Sequence, residues 1–312
     1  MKASFIRDFA NSCRFKVCSL LTGLCLVMAF TCSTVHAFES DENNQAVLEH
    51  GLLVTKNIAY ASYDKGEVHL DLYQPAGKDV YPGVVLVHGG GWSGGSRHAP
   101  GYIKTAIELA QRGYVVANLD YRLAGEAAFP AAVIDVASAV RWLRANASKY
   151  KVNPDKIVGI GGSAGGHLLA MVATNDHSKK FVDPNHYPQI SQQLQASIIL
   201  GSGVDQVDIV HEFGNNENQI LFFGGKYQQV PETYREGSPI THVSPNMRPI
   251  YMIDGSLDLP GWRYKKFRKR LHQAGVTHQF DIVEGAKHGE WIGDKFRAQY
   301  IDLYEQFFKK YL

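Results

Sequence analysis

The chain has 312 residues, of which 45% are hydrophobic and 20% charged, and its formal net charge is +2. This composition is typical of a globular protein and excludes a low-complexity or intrinsically disordered chain. A net charge this close to zero also lacks the basic footprint of a nucleic-acid-binding protein.

The first 37 residues have the pattern of a secretory signal peptide. A basic start precedes an apolar run over 18–30, and Val35 and Ala37 supply the small side chains that a signal peptidase reads. A membrane-spanning helix needs about 20 residues, so this run is too short for an anchor. We therefore expect cleavage after Ala37, export to the periplasm or beyond, and no stable membrane insertion afterwards. Lipidation at Cys32 is a weaker alternative.

Removal of this leader would change both the cysteine content and the net charge of the protein. All four cysteines lie within it, so the mature protein would have no disulfide and would depend on its core for stability. The leader also takes four basic residues and one acidic residue from totals of 32 and 30, which leaves a net charge of −1.

Beyond the leader, short apolar runs alternate with helical patterns. The runs predict strands over residues 68–73 (half-exposed, by its period of two), 83–87, 114–119, 157–161, 197–200, 249–253 and 279–283. Helices are predicted over residues 102–112, 130–150, 165–174 and 295–311. This alternation predicts an α/β fold with a mostly parallel central sheet and helices on both faces.

Two polar stretches interrupt the alternation, at residues 176–195 and 205–246. We interpret both as insertions into a single catalytic domain that covers residues 38–312. Ligands of open α/β sheets bind beyond the carboxyl ends of the strands, so these insertions are expected to shape the substrate site.

Ser163 is the predicted nucleophile. It lies in Gly161 to Gly165, a G-x-S-x-G motif directly after a predicted buried strand and directly before a predicted helix. A sharp turn between strand and helix exposes the serine hydroxyl above the sheet, and the flanking glycines allow the two elements to approach closely. The alternative of a glycine- and serine-rich surface loop does not explain this setting.

A second glycine-rich segment, His88 to Trp92, follows the strand predicted over 83–87. Acyl transfer builds negative charge on a carbonyl oxygen, and backbone N–H groups of glycines can be fixed in advance to receive it. We predict an oxyanion hole formed by Gly90, Gly91 and the amide of Ala164. A phosphate-binding loop is disfavoured because no Lys-Ser or Lys-Thr pair follows the glycines.

His288 is the predicted base, because it lies in the loop after the last predicted strand. Where a G-x-S-x-G serine lies between a strand and a helix, the acid and then the histidine follow it along the chain. The acid that orients it is predicted to be Asp258, which follows the strand at 249–253. Asp254 is the nearer alternative, although at the end of that strand it is better placed to cap the turn.

Four segments in this order resemble the α/β-hydrolase superfamily, from residue 57 to residue 312: 88–92, 120–123, 129–132 and 161–167. The closest group is the set of esterases and lipases related to hormone-sensitive lipase and to bacterial feruloyl and acetylxylan esterases. The resemblance implies the triad Ser163, Asp258 and His288. It also implies that Tyr121 is structural and that Arg122 pairs with Asp135. At the position where family members often carry Val-Pro after the acid, this chain has Leu259-Pro260-Gly261-Trp262.

These features predict a serine carboxylic ester hydrolase that needs no metal or organic cofactor. Its expected substrates are acetyl or feruloyl esters of polysaccharides or related small esters, with Trp92, Trp262 and Trp291 as candidate substrate contacts. Phe222 and Phe223 are further candidates, and some of these rings are expected to belong to the core. An amidase, arylformamidase or peptidase of the same fold is the main alternative, and a non-catalytic binding module is a remote one.

Overall fold

A mixed β-sheet forms the centre of the computed structural model, which describes residues 46–175 and 180–312. The expected signal peptide and its cleavage site after Ala37 therefore lie outside the described residues. The strands are β1 (Val47–Glu49), β2 (Leu52–Tyr63), β3 (Gly66–Pro75), β4 (Tyr81–Val87), β5 (Val115–Leu119), β6 (Val152–Gly162), β7 (Ser197–Leu200), β8 (Ile250–Gly255) and β9 (His278–Val283).

Helices connect most of the strands from β4 onward. They are α1 (Pro100–Gln111), α2 (Ala131–Ala145), α3 (Ala164–Thr174), α4 (Gln206–Phe213), α5 (Glu217–Phe223), α6 (Pro231–Glu236), α7 (Lys265–Gln273) and α8 (Arg297–Phe308), with short 3₁₀ turns at Pro239–His242 and Glu290–Ile292. Across residues 46–175 and 180–312, no helix is long and apolar enough to cross a membrane.

The strand order confirms the predicted fold class. Among the described residues the sheet runs β1-β2-β3-β5-β4-β6-β7-β8-β9. Neighbours from β5 to β9 pair in parallel, whereas β1, β2 and β3 pair antiparallel along one side. The carboxyl ends of the parallel strands therefore meet at one edge, where the loops that carry the predicted site residues begin.

Both faces of the sheet are covered, as the alternation of strands and helices predicted. Side chains of a strand point alternately to opposite faces. In β4, Val85 and Val87 pack into the apolar core beneath α2 and α3, while Val84 and Leu86 pack into a second core beneath α1 and α8. This burial on two sides explains why β4 is an uninterrupted apolar run.

The prediction of a half-exposed strand over 68–73 was wrong. In β3, Leu70, Asp71 and Leu72 are all buried, and only His69 within that stretch is partly exposed. The reason is that β3 is not an edge strand, because it lies between β2 and β5. Asp71 tolerates burial because its carboxylate accepts a hydrogen bond from Arg97 Nε at 3.1 Å, so a polar residue here does not mark a solvent-facing position.

Several elements differ from their sequence-based bounds. The strands β1 and β2 were not predicted, and neither was α7, whose sequence is dominated by basic residues. The helix expected over 130–150 ends at Ala145, and residues 146–151 form turns instead. The polar stretch 205–246 contains α4, α5 and α6, which are too short for a helical period to be distinct.

Candidate active site

The turn between β6 and α3 holds Ser163 in an unusual backbone conformation. Its φ is 54° and its ψ is −121°, a positive-φ geometry that is unfavourable for a residue with a side chain. The backbone N–H of Ser163 donates to the carbonyl oxygen of Leu200 at 2.7 Å, which ties the turn to β7. Neighbouring structure thus maintains a strained turn that presents the serine hydroxyl.

Glycines on either side of Ser163 are required by close contacts. A Cβ atom on Gly165 would lie 2.3 Å from the carbonyl oxygen of His88, and one on Gly162 would lie 2.3 Å from Trp291 Nε1. Neither distance is compatible with a real side-chain carbon. The turn can therefore lie against the end of β4 and against Trp291 only because both positions lack side chains.

Ser163, His288 and Asp258 form a continuous hydrogen-bonded chain. Ser163 Oγ lies 2.9 Å from His288 Nε2, and His288 Nδ1 lies 2.7 Å from Asp258 Oδ2. The carboxylate can only accept, so His288 carries its proton on Nδ1 and leaves Nε2 as the acceptor for the serine hydroxyl. This tautomer is the one that a general base for Ser163 requires.

The structure brings Asp258, rather than Asp254, to the imidazole. Asp254 is buried at the end of β8, and its Oδ2 accepts from the backbone N–H of Gly261 at 2.8 Å, which makes it the cap of the turn. Burial raises the pKa of Asp254 to about 6. Asp258 behaves differently: burial alone raises its pKa, but the hydrogen bond with His288 and the charge of Arg263 together bring it below its ordinary value.

Arg263 supports the acid and was not found from the sequence. Its Nη2 donates to Asp258 Oδ1 at 2.8 Å and to the Asp258 carbonyl oxygen at 3.1 Å. Its Nε lies 3.8 Å from Asp254 Oδ1, so the guanidinium lies between the two carboxylates. The only sequence signal was an arginine five residues after the acid, which many surface loops would also show.

Two of the three predicted oxyanion donors line the same cavity as Ser163. Gly91 and Ala164 do so, and Gly90 does not. Ala164 is the first residue of α3, so its N–H has no acceptor within the helix. The carbonyl oxygen of Gly90 accepts from the N–H groups of Ser93 and Gly94, and Gly90 therefore forms the tight turn behind Gly91.

His167 joins the glycine-rich segment to the body of the protein. Its Nδ1 accepts from Trp92 Nε1 at 3.1 Å, and its Nε2 donates to the carbonyl oxygen of Gly237 at 2.7 Å. The imidazole is fully buried and both nitrogens are satisfied in the neutral form. Burial lowers the pKa of His167 to about 4, against an opposing contribution from the bond to Gly237.

We expect His167 to make folding stability dependent on pH. Its pKa is 6.5 when unperturbed and about 4 in the fold. Between those values the unfolded chain binds a proton that the folded chain does not, so the free energy of unfolding falls as pH falls. The contribution of His167 to this loss between pH 7 and pH 5 is about 2 kcal/mol, measured by urea unfolding as the difference between the wild type and a variant without the imidazole. The variant His167→Asn should lose correspondingly less, and an equal loss in both proteins would contradict the assignment.

The aromatic candidates divide between cavity and core. Trp92 and Trp262 line a cavity of about 330 Å³ together with Phe213, whose ring centroid lies 5.0 Å from that of Trp262. Trp291 is buried and packs edge-on against His288 at 5.0 Å, so it contacts the base rather than the cavity. The candidates Phe222 and Phe223 are buried in the core, where Phe222 stacks on Trp92.

Arg122 and Asp135 form an ion pair, as the resemblance implied. Arg122 Nη2 and Nε donate to the two oxygens of Asp135 at 2.7 and 2.9 Å, and Asp135 is completely buried. Tyr121 stacks on His88 with centroids 4.3 Å apart, which supports the start of the glycine-rich segment. Within the described residues no group of three His, Cys, Asp or Glu side chains is arranged to hold a metal ion.

Comparisons with known proteins identify a family and relatives that this chain resembles. The BD-FAE family model matches residues 70–260. Esterase LipC of Mycobacterium tuberculosis is 29% identical over 228 residues, which cover 67% of this chain and 55% of LipC. The matched part of this chain spans about half the length of the curated relatives that it resembles.

Solved structures show the same fold. A truncated carbohydrate esterase from gut microbiota has a TM-score of 0.74 at 23% identity, covering 87% of this chain and 99% of that one. Esterase 2 of Thermogutta terrifontis has a TM-score of 0.69 at 27% identity, covering 84% of this chain and 95% of that one. The same esterase has been solved phosphorylated by paraoxon.

Proposed function

Because the chain belongs to the BD-FAE family and has the α/β-hydrolase fold, we propose that it is a serine carboxylic ester hydrolase. The observation that carries this proposal is the chain of hydrogen bonds from Ser163 through His288 to Asp258, at 2.9 and 2.7 Å. Relatives named as esterases support the same activity.

In the proposed mechanism, Ser163 Oγ attacks the ester carbonyl carbon while His288 Nε2 takes its proton. Asp258 accepts from His288 Nδ1 throughout and stabilises the imidazolium. Negative charge on the carbonyl oxygen is received by the N–H groups of Gly91 and Ala164. His288 then gives its proton to the leaving alcohol, and a water molecule repeats the two steps on the acyl-enzyme to release the acid and restore Ser163.

The proposed substrates are acetyl or feruloyl esters of polysaccharides. The cavity of about 330 Å³ is small, and the exposed ring of Phe213 beside Trp262 offers an apolar edge to a sugar or an aryl group. Export also fits a polysaccharide substrate. We propose export on the basis of the leader pattern of residues 1–37 alone.

We expect aryl esters of acetate and of cinnamic-type acids to be hydrolysed faster than the octanoate. The reason is that an alkyl chain would displace water from polar groups that line the cavity, such as Asn216 and Asn218, without replacing their hydrogen bonds. Steady-state kcat/KM over such a series measures this, and the acetanilide that corresponds to the aryl acetate distinguishes an esterase from an amidase or peptidase. A preference for acyl chains of eight or more carbons, or for the anilide, would contradict the proposal.

A further inference from the structure

Four carboxamide side chains line the active-site cavity: Gln206, Asn216, Asn218 and Gln219. Hydrogen bonds link three of these residues to one another, and we call these three the amide wall: Gln206, Asn216 and Gln219. They lie at the start of α4 and around the start of α5. Gln206 and Gln219 are 0% and 1% exposed, whereas Asn216 is exposed. None of the three takes part in the proposed mechanism. Since buried amides must be hydrogen-bonded, the partners of these groups determine which atoms remain for a ligand.

Gln219 and Gln206 are hydrogen-bonded to each other, and a backbone group at each end of this pair fixes the orientation of both carboxamides. The N–H of Asn216 donates to Gln219 Oε1 at 3.2 Å, so the other end of that carboxamide is the nitrogen Nε2. This nitrogen donates to Gln206 Oε1 at 3.2 Å, and Gln206 Nε2 donates to the carbonyl oxygen of Gly203 at 3.0 Å. Rotating one of these amides by 180° would place two donors or two acceptors against each other.

Asn216 is oriented in the same way, because its Oδ1 accepts from the N–H of Gln219 at 2.9 Å as the cap of α5. All three carboxamide oxygens therefore accept from protein donors. Among the described residues, the Nε2 atoms of Gln206 and Gln219 each have one protein acceptor for two hydrogens, and Asn216 Nδ2 has none. Each carboxamide oxygen thus already accepts one hydrogen bond, and the exposed Nδ2 of Asn216 keeps both of its hydrogens for a ligand in the cavity.

We propose that the amide wall binds an acceptor oxygen of the substrate, of ketone, ester or carboxylate type, in addition to the scissile carbonyl. This inference rests on the proposed hydrolase function and specifies its substrates. An alkyl group in the same place would remove water from the Nδ2 group of Asn216 and leave its hydrogens without an acceptor. A site built to hydrogen-bond a substrate group discriminates strongly against the analogue that lacks it.

The test compares esters of nearly equal shape. On the acyl side, 4-nitrophenyl 4-oxopentanoate is compared with 4-nitrophenyl pentanoate; on the alcohol side, 4-acetoxybutan-2-one is compared with butyl acetate. We expect the oxo ester to have a kcat/KM at least about tenfold higher in one of the two pairs. The 4-nitrophenyl hemisuccinate then distinguishes a carboxylate from a neutral carbonyl as the preferred group.

Asn216→Asp is the matched variant, because aspartate also caps helices and can still accept from the N–H of Gln219 while it cannot donate. We expect the oxo preference to fall to about threefold or less in this variant, with the melting temperature unchanged. Gln229→Glu is the control for the added charge. Gln229 lies in the same insertion, is exposed, and does not line the cavity. Its oxo preference should equal that of the wild type.

Two results would overturn the inference while leaving the hydrolase function intact. One is hydrolysis of all these esters with an oxo preference below about twofold in both pairs. The other is an oxo preference that Asn216→Asp does not reduce. Failure to hydrolyse any ester, including 4-nitrophenyl acetate, would instead overturn the hydrolase function and the inference together.

Discussion

Replacing Ser163 by alanine is expected to lower kcat for 4-nitrophenyl acetate by at least about 10⁴-fold. The attacking atom is removed, and no other hydroxyl is hydrogen-bonded to His288 Nε2 among the described residues. The melting temperature should stay about the same, because alanine changes neither the packing around the turn nor the strained φ of 54°. Residual activity would come from the oxyanion donors and binding alone.

The control is Ser191→Ala, which removes an exposed serine that lies outside the cavity. Its kcat should equal that of the wild type. A folded Ser163→Ala protein that keeps more than a few per cent of wild-type activity would contradict the role of Ser163.

The second large effect is expected at Asp258. Asp258→Asn keeps the shape of the side chain but places an N–H donor near the Nδ1–H of His288, which favours the wrong tautomer of the imidazole. We expect kcat to fall by about 10³- to 10⁴-fold at pH 7, by analogy with other serine hydrolase triads. The 4-nitrophenyl acetate assay measures this under the same conditions as for Ser163→Ala.

Asp254→Asn is the matched comparison. Its amide oxygen can still accept from the N–H of Gly261, and Asp254 does not contact His288. The variant should keep kcat within about tenfold of the wild type, even though Arg263 loses one of its two carboxylate neighbours. If Asp254→Asn were the more damaging substitution, Asp254 rather than Asp258 would be the acid of the triad.

The sequence was sufficient wherever one local pattern determines one local structure. The apolar runs of β4 and β6 are buried on both faces, and the motif around Ser163 needs glycines because His88 and Trp291 lie in contact with it. The late position of His288 follows from the chain order of the fold. These features depend on short segments, so they could be predicted without coordinates.

The parts that were missed depend on contacts between distant segments. Burial of Asp71 requires Arg97, which lies 26 residues further along the chain. The carboxamides of Gln206 and Gln219 are oriented by each other and by backbone groups, and neither residue is unusual in a polar stretch. Asn216 and Gln219 do form a capping-box pattern, which is a local signal for the start of α5.

The most direct test of the proposed mechanism is covalent labelling of the purified protein by a fluorophosphonate, followed by intact-mass measurement and peptide mapping. The proposed nucleophile predicts one adduct per chain, on Ser163, formed with loss of fluoride and accompanied by complete loss of esterase activity. Ser163→Ala should remain unlabelled, and Asp258→Asn should be labelled much more slowly. An unmodified wild-type protein, or an adduct on any other residue, would contradict the assignment of Ser163 as the nucleophile.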